Sequence, residues 1–168
     1  MIDSVKKIGL FYSYPKRQRH LEQSLQEVNT IRREAEVAPV PEKKMKKMCE
    51  TRWVERHTVL EDLHDMYEVV VDSLQKIANA PRRLWDSKSS TEAQGLFTAV
   101  TKPGFLVALA CNMYVFGYTK SLSMLLQGES QDIITGYEEV RLVCDELKSV
   151  REESEQEFRQ VFMNAKDL

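Results

Sequence analysis

Apolar residues recur at intervals of three and four along almost the whole chain, and no run alternates convincingly with period two. Spacing of that kind puts apolar side chains on one face of a helix, whereas a half-buried strand needs strict alternation. After Pro15, Leu21, Leu25 and Val28 form one stripe. From Val54 to Ala78 the stripe is Leu60, Leu63, Tyr67, Val70, Leu74 and Ile77, stopped by Asn79-Ala80-Pro81. Ser89 with Glu92 three residues on fits a capping box for a short helix to about Val100. Pro103 suits the first turn of a helix running to Gln127, with Gly128 as its stop. From Asp132 to about Lys166, Ile133, Tyr137, Val140, Cys144, Leu147, Phe158, Val161 and Ala165 keep one last stripe, interrupted by Arg151 and Ser154. The expected fold class is all-α, a bundle-like array of about five to six helices with two long ones and no sheet.

At 168 residues the chain is read as a single domain over 1–168, with one internal linker. That linker is residues 36–48, "EVAPVPEKKMKKM", where Pro39 and Pro41 stop helix and the lysines are expected to be exposed. Charge is unevenly spread. Residues 1–88 hold 17 Lys and Arg against 14 Asp and Glu, and residues 89–168 hold 7 against 12. Any surface for a polyanion is therefore expected in the first half.

Cys49, Cys111 and Cys144 form no close pairs, so reducing conditions are the natural reading. Asp3, Lys6 and Lys7 interrupt the first apolar residues, unlike a signal peptide. The most apolar run, "GFLVALACNMYVFGY", is too short to span a bilayer and contains Asn112. A soluble intracellular protein is expected, neither secreted nor bound to a membrane.

Candidate chemistry concentrates in "MCETRWVERH", residues 48–57. Cys49 and His57 are eight positions apart with no paired ligands nearby, unlike a structural zinc site. Glu61-x-x-His64 has the spacing of a di-iron ligand pair, but such a bundle needs a second pair and two further glutamates. No Gly-x-Ser-x-Gly elbow and no phosphate-cradling glycine loop occurs. Neither a metal, a cofactor, a small-molecule substrate nor a catalytic residue is expected.

Basic residues carry more. Lys43, Lys44, Lys46, Lys47, Arg52 and Arg56 fall within residues 43–56, against Glu50 and Glu55. A secondary group is Lys16, Arg17 and Arg19, and Arg82-Arg83 beside Trp85 form a third. Clustered cations with an aromatic alongside are what neutralising a nucleic-acid backbone and stacking on a base require. The plainer reading is a solvated linker with Trp53 as a core anchor.

The stretch "CETRWVERHTVLEDLHDMYEVVVDSLQKIA" resembles the Thr-Arg-Trp segment of hAT-superfamily DNA transposases and their domesticated relatives, in the group whose longer members carry THAP- or MYM-type zinc fingers. "KKIGLFYSYPKRQRHLEQSL" before it, and "AQGLFTAVTKPGFLVAL", "TKSLSMLLQGESQDI" and "VRLVCDELKSVREESEQEF" after it, extend the resemblance over most of the chain in matching order. In that family an RNase H-like sheet carries an Asp-Asp-Glu triad binding two divalent metals, and a large helical domain is inserted before the final glutamate. The resemblance places this chain in that helical insertion, without the sheet, the triad or a zinc finger. It carries over to Thr51, Arg52 and Trp53, where the tryptophan supports a base flipped out at the transposon end. It also implies a nuclear location.

Three expectations follow. The first is a non-catalytic fragment contacting DNA through Thr51, Arg52, Trp53, Arg56, Lys43, Lys44, Lys46 and Lys47. The second is a helical interaction or dimerisation module, with Tyr137, Val140, Cys144 and Leu147 as a seam for a partner helix or a second copy. The third is a relic product without selected activity.

Overall fold

The computed structural model describes residues 1–49, 53–127 and 133–166, with the backbone alone at Trp53 and Ile133. Among the described residues there are eight helices and no strand. They are α1 (Ile2–Phe11), α2 (Pro15–Glu34), α3 (Trp53–Asp65), α4 (Tyr67–Ala78), α5 (Ser87–Val100), α6 (Pro103–Leu126), α7 (Ile133–Glu152) and α8 (Ser154–Lys166). The fold class is all-α, as expected.

Proline begins two of these helices. Tyr14 and Lys102 are extended, and Pro15 and Pro103 follow at the first helical position, where a missing N–H costs nothing. The helix count exceeds the expected five to six for three reasons. The opening residues add α1, which no stripe singled out. The expected helix over 54–78 is broken at Met66, whose φ of −102° and ψ of 13° leave the helical region while its side chain is buried. The expected last helix is broken at Glu153, between α7 and α8. In both cases the apolar spacing continues across the break, so periodicity alone does not reveal it.

The capping box at Ser89 and Glu92 also gives way. Asp86 caps α5, its carboxylate accepting the Ser89 N–H at 3.1 Å. Ser89 and Glu92 are thereby released for another task, described below.

α4 is the centre of the fold, packed against α2 and α5. Val69, Val70, Leu74 and Ile77 are fully enclosed, joined by Leu21 of α2 and by Leu60 and Leu63 of α3. Burying aliphatic side chains of this size stabilises by about 1.5–3 kcal/mol each. α6 leaves this core: Phe105 and Leu109 are buried in it, and its remaining length packs against α3, α7 and α8.

On α7 the buried positions are Gly136 and Val143, while Tyr137 is 73% exposed and Cys144 is exposed. The face turned inward is one residue, about 100°, round from the expected stripe. On α8, Val161 and Ala165 are buried as expected and Phe158 is exposed. No single helix among the described residues is long and apolar enough to cross a membrane.

Candidate nucleic-acid interface

The 36–49 segment has no regular secondary structure, yet it is fixed at almost every step. At its start Glu36 has a φ of 57°, with its N–H on the Arg33 carbonyl and the Val37 N–H on the Arg32 carbonyl. That is a Schellman closure of α2, made with glutamate where glycine is usual. Arg32 Nε donates to the Ala38 carbonyl at 2.7 Å. The Asn29 side chain clamps Val40 from both sides, accepting its N–H at 2.7 Å and donating to its carbonyl at 3.0 Å.

Val40, Met45 and Met48 are buried in the core, while Lys44, Lys46 and Lys47 are exposed. Exposed lysines and buried apolar residues thus share one segment of irregular backbone. Gly9 of α1 makes the close approach possible. A Cβ there would run into the Lys46 carbonyl and lie 3.2 Å from the Lys47 Cα. A lysine row on a pinned backbone results, with less conformational freedom to lose on meeting a ligand than a free linker has.

Lys43 is different. Its ammonium bonds Asp65 at 2.6 Å and Asp62 at 3.3 Å. The Asp65 bond is the main cause that raises the Lys43 pKa. For Asp65, burial pushes the carboxyl up, and Lys43 with His64 more than offsets it, so the net shift is downward. This cation anchors the segment to the end of α3 and is paired locally with two carboxylates.

Arg56 is part-buried, and its Nε donates to the Cys49 carbonyl at 3.4 Å, tying the end of the segment to α3. Thr51 and Arg52 lie outside the described residues. Trp53 opens α3, and its side chain also lies outside them.

The secondary group splits in the same way. Arg17 is 9% exposed, stacked over the Phe11 ring at 4.0 Å. Its guanidinium donates to Ser89 Oγ at 3.0 Å, to Glu92 Oε2 at 2.9 Å and to the Phe11 carbonyl at 3.4 Å. It is a structural clamp between α2 and α5. Lys16 and Arg19 remain exposed, and Trp85, beside the third basic group, is buried.

Of the residues weighed as metal ligands, Glu61 and His64 are paired with protein groups, His64 with Asp65 at 3.2 Å. Glu61 receives Lys120 of α6 at 2.8 and 2.9 Å, and His57 Nδ1 stands 3.1 Å from its other side. That approach is not aligned as a hydrogen bond, and both nitrogens of the buried His57 ring lack one among the described residues.

Over 114 residues, 67% of this chain, the sequence is 28% identical to the 52 kDa repressor of the inhibitor of the protein kinase of Mus musculus. Over 113 residues it is 26% identical to the Homo sapiens protein of the same name. The matched stretch spans 15% of the length of each relative. No family model and no solved structure matches the chain.

Proposed function

We propose that this chain is a non-catalytic helical piece of a protein derived from an hAT-type transposase, acting on DNA in the nucleus. Contact is made by Lys44, Lys46 and Lys47 and continued by Arg52, Trp53 and Arg56. The observation that supports it best is the alternation of buried Met45 and Met48 with exposed lysines on a backbone seated over Gly9. Cations held this way suit sequence-independent neutralisation of phosphates. The relatives' name, a repressor, fits regulation better than catalysis.

The test is a titration against a hairpin-ended duplex with unpaired terminal bases, over a range of salt. Changing Lys44, Lys46 and Lys47 to glutamine should lower the salt slope by about 0.9 per lysine. Trp53→Ala should cost about 1–3 kcal/mol if the tryptophan stacks on an unpaired base. Absence of wild-type binding at low salt would refute the proposal.

A second reading is favoured by a separate surface. Ile134, Tyr137, Phe158 and Met163 are each at least half exposed on α7 and α8, and the Phe158 and Phe162 rings pair at 6.1 Å. Exposed apolar surface of this kind marks interaction modules. Self-association at micromolar concentration that is lost in Phe158→Ser would support it, and a monomer throughout would remove it.

A further inference from the structure

An open cleft of about 570 Å³ lies where the start of α2 meets the end of α4 and the 79–85 turn. Its lining includes Lys16, Arg19 and Lys76 and not one carboxylate. Lys76 is engaged by Glu27 and Asp72, each at 2.6 Å. Asp86, next along the chain, is engaged by the Ser89 N–H. Two cations therefore face the opening without an acidic partner among the described residues.

Lys16 is held in position. Its ammonium donates to the Leu84 carbonyl and sits 4.3 Å from the Trp85 ring centroid, leaving two of its three N–H groups unused. Trp85 is wedged edge-on against His20, which bonds Ser73 Oγ at 3.0 Å. Burial, and after it the Lys76 charge, lower the His20 pKa, so its ring adds no permanent charge at neutral pH.

The floor is of another character. Ala80, Pro81 and Leu84 are apolar, and Leu84 is 54% exposed. A plain anion would use the cations and leave that floor wet. A ligand that uses both has a phosphate at one end and a flat, weakly polar body at the other. The volume falls in the usual range for small-ligand sites, about 300–1,000 Å³.

We infer that this cleft is a nucleotide site, in which Lys16 and Arg19 hold the phosphate and the base lies on Leu84 and Pro81. For the source of that nucleotide, a single strand, the inference rests on the nucleic-acid reading above. The cleft itself lies at the opposite end of the α2–α4 pair from Lys43. A free nucleoside monophosphate offers the same chemistry.

The two tryptophans let one experiment separate the sites. Indole N–H signals of the full chain are followed by NMR and assigned with Trp53→Phe. The chain is titrated in turn with a short oligothymidylate, thymidine monophosphate and inorganic phosphate. The expected result is a Trp85 shift with the oligomer and with the monophosphate, and almost none with phosphate alone. Lys16→Gln with Arg19→Gln, both exposed positions, abolishes that shift. It also lowers the oligomer's salt slope by about 0.7 per cation removed. Glutamine at Lys44, Lys46 and Lys47 leaves the Trp85 shift intact.

A Trp85 shift with the monophosphate, and no binding of the oligomer anywhere on the chain, keeps the nucleotide site and refutes the nucleic-acid reading. Oligomer binding with Trp85 silent to oligomer and monophosphate alike does the reverse. An equal response to inorganic phosphate overturns the inference, because the apolar floor then has no part.

Discussion

Gly9 on α1 lies directly against the Lys46 carbonyl, so a helix packs on the backbone of an irregular segment with no side chain between them. Gly9→Ala drives a methyl group into main-chain atoms that cannot rotate away. The expected cost is about 1–3 kcal/mol, the usual scale for overpacking. Denaturant unfolding would measure it, and hydrogen exchange should show faster opening of the amides at 45–48. An unchanged midpoint would mean the segment is not seated as described.

The turn after α2 predicts the opposite sign. Glu36 holds a left-handed backbone that glycine adopts without strain. Its N–H and that of Val37 make the closing bonds whatever the side chain is. Glu36→Gly should therefore stabilise by about 0.5–1 kcal/mol, discounted for the extra freedom glycine has when unfolded. In thermal melts of a chain this size that is a rise of about 1–4 °C. A lower Tm would show that Glu36 makes a contact worth more than its strain.

Arg17 and Lys44 were alike as basic candidates, and the structure gives them opposite consequences. Arg17→Ala removes the bonds to Ser89, Glu92 and the Phe11 carbonyl together with the guanidinium stacked on Phe11. Glu92 is 39% exposed and can rehydrate, which moderates the loss to about 2–3 kcal/mol of stability. DNA affinity measured well below the melting point should keep its salt slope. Lys44→Gln should leave stability unchanged and lower that slope by about 0.9.

What the sequence made legible follows from how far each determinant reaches. Helix starts at Pro15 and Pro103 are local, and both are where expected. The break at Met66 depends on which partners each half-helix meets, and Leu63, Tyr67 and Val70 keep the same spacing across it. The lysine cluster was visible as composition. Its division into an anchor, Lys43, and a displayed row was not, because Asp62 and Asp65 come from another helix. In the same way Ser89 and Glu92 have the spacing of a cap, and only the tertiary fold brings Arg17 to them. The one-residue rotation of α7 that exposes Tyr137 is set by its packing on α6, which no single-helix pattern contains.

Acid stability is expected to depend on Glu61. Burial pushes this carboxyl up, but the two hydrogen bonds from Lys120, together with the proximity of His57, outweigh it and hold the pKa below the ordinary 4.5. A carboxylate depressed in the folded state stabilises above its unfolded pKa and loses that contribution as pH falls through the folded value. The loss should therefore begin near pH 4.5 and deepen below it, reinforced by Asp65, whose ordinary value is 3.8. Lys43, raised above its ordinary 10.5, acts only at the alkaline end, where its share is lost as pH rises past that value. Lys120→Met should cost about 1 kcal/mol or less at neutral pH, since the pair is part-exposed. It should also flatten the decline in stability between neutral pH and pH 3, because Glu61 then has less depression to lose. Unfolding free energies of wild type and variant across that range would decide it. Parallel curves would mean that Lys120 does not set the charge state of Glu61.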